Sequence, residues 1–222
     1  GGSAVTGRFG GGAGRRSMVP QILLGMLAAA LVPAGVPAGR YPSVASRAHG
    51  VRCVSLPVDI RSTGPNSRRI SSAIDVNASQ EDVWAIITDY DRISEYTPNV
   101  LRSRVVPSAS AGIRVYQEGA QNIAGFEFRA SLTMEMKEVL TDALRRPLPA
   151  PRLTFRCLQS EMFSEYTGEF RVEQHGKGTR LSFSVDITPR GPVPVMPLEW
   201  RIREDVPVNL RGLKAAAEAR RR

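Results

Sequence analysis

The chain is poor in the residues that build covalent or metal-bound structure. Its 222 residues include two cysteines, Cys53 and Cys157, and two histidines. Two cysteines do not make a disulfide framework, and Cys157 lies in a strand-like run, LTFRCL, where it is expected to pack as a small apolar side chain. His175 is the only histidine after residue 69 and sits beside glycines in a turn, so no histidine metal site or catalytic triad can be assembled. We therefore predict no structural disulfide, no metal site, no cofactor and no catalytic residue.

Acidic residues and lysine are nearly absent from the first third of the chain. Residues 1–69 contain nine arginines, no lysine and one acid, Asp59, whereas residues 70–222 are close to neutral. The high isoelectric point, about 10.3, therefore comes from the N-terminal part. Because phosphate binding needs a basic stripe on the folded surface, we do not expect nucleic acid to be a partner.

The N-terminal part also lacks a run of apolar residues long enough to span a bilayer. Its apolar segment, at 19–38, centres on Ile22 to Val32, which has the length of a signal-peptide core. Arg15 and Arg16 precede this run, as in a secretory or twin-arginine signal. A disordered, glycine-rich tail with one membrane-prone patch is the alternative interpretation.

The stretch that follows has the composition of an organelle transit peptide. From Arg40 to Arg69 it is rich in arginine and serine and nearly free of acids. We predict a targeting leader over residues 1–67, mostly disordered, and a folded domain over residues 68–222. Cys53 is expected to leave with the leader. The expected destination is the plastid (chloroplast), with a mitochondrial or secretory route as the alternatives.

The folded domain opens with a strand that leads directly into a capped helix. Ile70, Ser72, Ile74 and Val76 share one, mostly apolar face, and the residues between them form the other face. This alternation is typical of a half-buried strand. Ser79 stands where a helix N-cap belongs, and acidic residues follow it in the first turn. The helix is expected to weaken near Tyr90, and Pro98 closes the segment.

The remaining sequence predicts a series of strands and a final helix. Turn-forming residues separate the apolar runs, and alternation is cleanest in the long strand that begins at Phe126. The final helix is expected from Pro197 onward, with Pro207 kinking it or splitting it in two. The predicted strands span residues 70–76, 100–106, 113–121, 126–139, 153–158, 165–173 and 180–188.

Four stretches of this domain resemble a known superfamily. They read IDVNASQEDVWAIITDYDRISEYTPNV, YQEGAQNIAGFEFRASLTMEM, GTRLSFSVDITP and DVPVNLRGLKAAAE. They are similar to the START-like, polyketide cyclase/dehydrase and coenzyme-Q-binding (SRPBCC) proteins. The resemblance implies an α+β helix-grip fold, in which a curved antiparallel sheet of about seven strands wraps around a long C-terminal helix, with a short helix after the first strand.

A sheet that grips a helix leaves a concave apolar space between them, where small molecules bind. The resemblance implies a lipid, a polyprenyl quinone or a related isoprenoid or pigment as the ligand, carried at an organelle membrane with peripheral membrane contact. The residues expected to line the cavity are those with inward-facing side chains. They are Val115, Gln117, Phe126, Phe128, Ala130, Leu132, Met134, Phe155, Phe170 and Phe183 from the sheet, and Leu198, Trp200 and Leu210 from the helix.

Two other functions remain open at this point. An aromatase/cyclase-type enzyme would use polar groups inside the same cavity, and an assembly factor would act through its surface around a filled core. The enzyme needs an inward-pointing ionisable side chain, and the predicted inner face offers only Gln117 as a clearly polar group. The minor candidates for such chemistry are Tyr96, Tyr116, Gln117, Glu118, Arg129 and Tyr166.

Overall fold

The computed structural model describes most of the chain after the predicted leader. The apolar segment at 19–38, Cys53 and most of the predicted leader lie outside the described residues, so the predictions made for them stay predictions. The described residues are 56–108, 112–123, 126–191 and 195–220, with the backbone alone described at 120–123, 126–128, 195 and 197.

In the described part of the chain, eight antiparallel strands form one sheet, in which the first two strands lie next to the last. In space the strands follow the order β1-β2-β8-β7-β6-β5-β4-β3, so β1 and β3 are the two edges. The seven strands predicted from alternation are all present, and the helix-grip fold is confirmed. The strands are β1 (Val58–Ser62), β2 (Arg68–Val76), β3 (Val100–Val106), β4 (Ile113–Ile123), β5 (Phe126–Thr141), β6 (Pro147–Ser160), β7 (Phe163–His175) and β8 (Gly178–Pro189).

The eighth strand, β1, lies upstream of residue 68 and was not predicted. It pairs antiparallel with β2 over its whole length, from Val58 opposite Ser72 to Ser62 opposite Arg68. Val58 and Ile60 pack against the core. The Ser72 hydroxyl donates to the Pro57 carbonyl at 2.8 Å. The ordered sheet therefore begins about ten residues before the predicted domain boundary.

Removing β1 should cost stability. We expect a fragment beginning at residue 66 to have a free energy of unfolding about 2 kcal/mol lower than one beginning at residue 56, because it loses the partly buried Val58 and Ile60. Urea titration of the two fragments measures the difference. Equal midpoints and slopes would show that β1 contributes nothing to the fold.

The short helix α1 (Gln80–Ile87) begins at the predicted cap. The Ser79 hydroxyl accepts from the backbone N–H of Asp82 at 3.1 Å. Val83, Ile86 and Ile87 bury its apolar side. A 3₁₀ turn (Tyr90–Arg92) and a one-turn helix α2 (Ile93–Tyr96) then lead to β3.

The C-terminal helix α3 (Val195–Arg220) packs against α1 and β2. Of the two outcomes predicted for Pro207, the split is wrong, since α3 continues as one helix on both sides of this residue. The kink stays a prediction. Buried apolar side chains on both sides of Pro207, including Leu198, Leu210 and Leu213, hold the two halves against the same core. No described helix is long and apolar enough to cross a membrane.

Irregular pairing helps to curve the sheet. The register between β5 and β6 shifts between Thr133 and Met134 and again between Val139 and Thr141, and β3 has a similar shift against β4. Such bulges bend a strand and increase its twist. The bent strands leave a concave face on which α3 lies.

Candidate functional site

A cavity of about 370 Å³ lies between the concave face of the sheet and α3. It is partly open to solvent, and its wall is mostly apolar. The volume is within the range of about 300–1,000 Å³ that is typical of small-molecule sites. The interior of a domain is close-packed and normally contains few voids larger than one water molecule. A cavity of about 370 Å³ is therefore much larger than the gaps that ordinary packing leaves.

Most of the residues that the sequence places in the cavity line it. They come from five strands, β4 to β8, and from α3, so the side chains that the alternation turns inward lie on the concave face of the sheet. The lining residues among those predicted are Gln117, Ala130, Leu132, Met134, Phe155, Phe170, Phe183, Leu198 and Leu210.

Four predicted lining residues remain: Val115, Trp200, Phe126 and Phe128. Val115 is fully buried in the core between β3 and β5 and does not reach the cavity. The side chains of Phe126 and Phe128 lie outside the described residues.

The placement of Trp200 in the cavity is wrong. Its side chain is 60% exposed on the outer surface of α3. Trp200 follows Leu198 by two residues, which is a rotation of about 200° at 3.6 residues per turn. Since Leu198 faces the cavity, Trp200 must face away from it.

Five aromatic side chains form one wall of the cavity, which we call the aromatic wall. Phe155 is at its centre, with ring centroids 5.6 Å from Tyr166, 6.0 Å from Phe170 and 6.2 Å from Phe183. Phe163 extends it, 5.3 Å from Tyr166. These distances are typical of favourable ring contacts, so the rings hold one another in place and present a rigid apolar surface.

Gly168 makes room for this wall. It pairs with Phe155 on one side and with Val185 on the other. A Cβ atom at residue 168 would lie 2.6 Å from the Phe155 ring and would overlap the Ser184 carbonyl oxygen. The absence of a side chain therefore allows the Phe155 ring to lie against the neighbouring strand.

The helix side of the cavity carries a row of polar residues that the sequence analysis missed. Arg201, Asp205 and Asn209 follow one another at intervals of four on α3 and all line the cavity. Residues spaced in this way share one helix face. The Arg201 guanidinium contacts Asp205 at 3.2 Å and Glu204 at 2.9 Å. We call Arg201, Asp205 and Asn209 the polar row.

Three buried polar atoms in the cavity wall have no hydrogen-bond partner among the described residues. They are Nε of Arg201, Oδ1 of Asn209 and Nδ2 of Asn99. Asn99 lies in the short connection between α2 and β3 and also lines the cavity. A buried donor or acceptor without a partner is unfavourable, by about 1–3 kcal/mol each. Each atom belongs to a side chain that lines the cavity, so a rotation of that side chain would bring the atom into contact with a bound molecule.

Two tyrosines that line the cavity, Tyr166 and Tyr90, keep their protons at neutral pH. Burial raises the pKa of Tyr166 to about 12, with a smaller contribution from Cys157. Burial also raises the pKa of Tyr90, as does its contact with the Glu138 carboxylate, which accepts from the Tyr90 hydroxyl at 3.0 Å. Neither phenol can act as a base near pH 7, although each can donate a hydrogen bond.

The minor candidates for chemistry divide between the cavity and the surface. Gln117, Arg129 and Tyr166 line the cavity, whereas Tyr96, Tyr116 and Glu118 do not. The Tyr96 hydroxyl instead donates to the Asp89 carboxylate at 3.0 Å, in a partly buried contact outside the cavity. Within the described part of the chain, no three His, Cys, Asp or Glu side chains are grouped closely enough to hold a metal ion.

Known structures share this architecture at low sequence identity. The aromatase/cyclase Zhui from Streptomyces sp. R1128 is 18% identical, with a TM-score of 0.56 over 70% of this chain and 96% of its own. A Thermus thermophilus protein, TTHA0849, is 19% identical, with a TM-score of 0.53 over 68% of this chain and 98% of its own. At this identity the likeness establishes the fold alone.

The sequence itself matches a family over most of the folded region. A search of the curated proteins found no match. Residues 67–218 match the family described as polyketide cyclase / dehydrase and lipid transport. The matched residues run from just before β2 almost to the end of α3, and so include every element that lines the cavity. The chain therefore belongs to the polyketide cyclase / dehydrase and lipid transport family.

Proposed function

We propose that this protein binds a hydrophobic small molecule in the cavity between the sheet and α3 and carries it at an organelle membrane. The observation that carries the proposal is the cavity of about 370 Å³ with its mostly apolar wall. Left to solvent, this volume would hold about a dozen water molecules at about 30 Å³ each, against a surface that offers them few partners. An apolar ligand replaces that water favourably.

The energetics suit reversible carriage. Burying about 200 Å² of apolar ligand surface is worth about 5 kcal/mol, before the cost of immobilising the ligand is subtracted. Binding of that strength is easily reversed. A ligand can exchange through the open side of the cavity. Separation of α3 from the segment Tyr96–Asn99, where the helix backbone and the loop backbone are in direct contact at Gly212, would widen the cavity further.

The ligand classes that suit this site are a lipid, a polyprenyl quinone and a related isoprenoid or pigment. The rigid aromatic wall favours a flat ring system over a purely aliphatic chain, because aromatic faces pack closely against one another. Of the three classes, a quinone or pigment ring therefore fits best beside Phe155. An isoprenoid tail longer than the cavity would extend through its open side.

Membrane contact is supported by apolar side chains on the outer surface of α3. Met196 is 83% exposed and Trp200, one turn later, is 60% exposed. Tryptophan favours the interface between lipid and water. The plastid is the proposed destination, from the composition of residues 1–67, with a mitochondrial or secretory route as the alternatives.

A vesicle transfer assay tests carriage. The 222-residue chain is added to phosphatidylcholine donor vesicles that contain a quinone with two isoprene units, together with acceptor vesicles that lack it. We expect transfer at least tenfold faster than without protein, because the cavity shields the quinone from water. If the protein binds the quinone but does not speed its transfer, it is not a carrier of this class.

A second candidate is an aromatase/cyclase-type enzyme that uses the same cavity. The observation in its favour is the Arg201–Asp205 ion pair in the cavity wall. The lining predicted from the sequence contained no ionisable side chain of this kind. The discriminating experiment incubates the chain with a poly-β-ketone and follows loss of water by mass spectrometry. Turnover that Asp205→Asn abolishes while binding persists would establish the enzyme and reject simple carriage.

A further inference from the structure

We propose that Asn99 and Asn209 form a recognition site for a neutral hydroxyl group, so that the carried molecule is a hydrophobic alcohol or phenol. The inference rests on the proposed function and names the head group that the cavity selects. It starts from two buried atoms without partners in one wall, Nδ2 of Asn99 and Oδ1 of Asn209. One of them is a donor and the other is an acceptor.

The fold brings these two asparagines to the same end of the cavity. Gly212 follows Asn209 by three residues, so both lie on one side of α3. At Gly212 the helix backbone meets the Tyr96 carbonyl so closely that a Cβ atom would overlap it. Asn99 follows Tyr96 by three residues, in the connection that continues past this contact. The close approach at Gly212 thus sets the Asn99 loop beside the last polar residue of the row.

A hydroxyl group matches this pair better than other oxygen groups do. Its oxygen can accept from the Asn99 amide while its O–H donates to the Asn209 carbonyl oxygen. A ketone, an ether or a quinone oxygen can only accept, and would leave Oδ1 of Asn209 buried without a partner. Rejection of an analogue that cannot pair with a buried polar group is stronger than rejection by shape alone. For a quinone carrier, the reduced quinol is therefore the preferred form.

The charges nearby disfavour an anionic head group. Asp205 lies one turn before Asn209 in the polar row, and its carboxylate contacts Arg201 at 3.2 Å. The Glu204 carboxylate contacts another nitrogen of the same guanidinium at 2.9 Å. The Asp205 carboxylate, one turn from Asn209, would repel a fatty-acid carboxylate or a phospholipid phosphate placed beside the asparagines.

The third unpartnered atom is a separate point of attachment. Nε of Arg201 belongs to a residue eight positions before Asn209, which is about 12 Å along a helix at 1.5 Å per residue. An additional acceptor further along the ligand would satisfy it.

Three probes of one ring system test the inference: 2-naphthol, 2-methoxynaphthalene and naphthalene, titrated calorimetrically into the 222-residue chain. We expect 2-naphthol to bind about tenfold more tightly than the methoxy compound, since one further hydrogen bond is worth about that factor. In Asn209→Leu the ratio should fall to about one, because the O–H loses its acceptor. In Asn99→Leu both oxygen-containing probes should bind more weakly relative to naphthalene, because the amide donates to either oxygen. Naphthalene itself should bind both variants as well as or better than before. Gln174→Leu, which removes an amide on β7 outside the cavity wall, should leave the ratio unchanged.

The outcomes separate this inference from the proposed function. Equal binding of all three probes overturns the hydroxyl site and leaves a hydrophobic cavity in place. A preference for 2-naphthol over the methoxy compound that persists in Asn209→Leu shows that the discrimination is steric, and also overturns the site. So does an Asn99→Leu variant that binds both oxygen-containing probes as tightly as the native chain. No binding of any probe contradicts both the hydroxyl site and the proposed function.

Discussion

Filling the cavity with one large side chain is expected to abolish ligand binding while the protein stays folded. Ala130 lies on β5 with its side chain in the cavity wall. In Ala130→Trp the indole occupies a large part of the 370 Å³, so we expect at least a hundredfold loss of affinity for 2-naphthol. Overpacking typically costs about 1–3 kcal/mol, and the added apolar burial offsets part of it.

The matched control is Thr133→Trp. Thr133 lies on the same strand but outside the cavity wall, so the same indole there should leave affinity unchanged. Calorimetric titration measures binding, and urea titration confirms that both variants are folded. Full binding by Ala130→Trp would mean that the ligand lies elsewhere.

The largest loss of stability is expected at the close contact between α3 and the loop before β3. Gly212→Ala would normally stabilise a helix by about 1 kcal/mol. Here the new methyl group would overlap the Tyr96 carbonyl oxygen. This oxygen belongs to the backbone, so no side-chain rotation can relieve the overlap. We expect the free energy of unfolding to fall by about 3 kcal/mol, since α3 must move away from the loop.

Arg211→Ala is the control for this prediction. Arg211 is exposed and next to Gly212, so its replacement should change the free energy of unfolding by less than about 0.5 kcal/mol. A Gly212→Ala variant as stable as the native chain would show that α3 does not press on the loop in solution. The position of Asn99 beside Asn209 would then lose its support.

The strands could be predicted because each buries one face. Ile70, Ile74 and Val76 alternate with exposed or half-buried residues, and that pattern is visible without any knowledge of the partners. β1 shows the same alternation, with Val58 and Ile60 turned inward. It could not be recognised from composition, because the residues around it are rich in arginine and serine, as in a leader.

The helix side of the cavity was harder to predict. Trp200 cannot share the inward face of the helix with Leu198, because two successive steps along a helix turn a side chain by about 200°. The four-residue spacing of Arg201, Asp205 and Asn209 was available in the sequence and could have revealed the polar row. Asn99 could not have been found in this way, because its place in the wall depends on how α3 docks at Gly212, a contact between residues far apart in the chain.

Native mass spectrometry of the 222-residue chain, followed by organic extraction and identification of whatever co-purifies, is the most direct test of a ligand-carrying cavity. We predict one apolar small molecule per chain, with a hydroxyl group among its polar functions. The Ala130→Trp variant, purified in parallel, should carry none. A clean mass for the protein alone, unchanged after incubation with an organelle lipid extract, would contradict the proposed carriage.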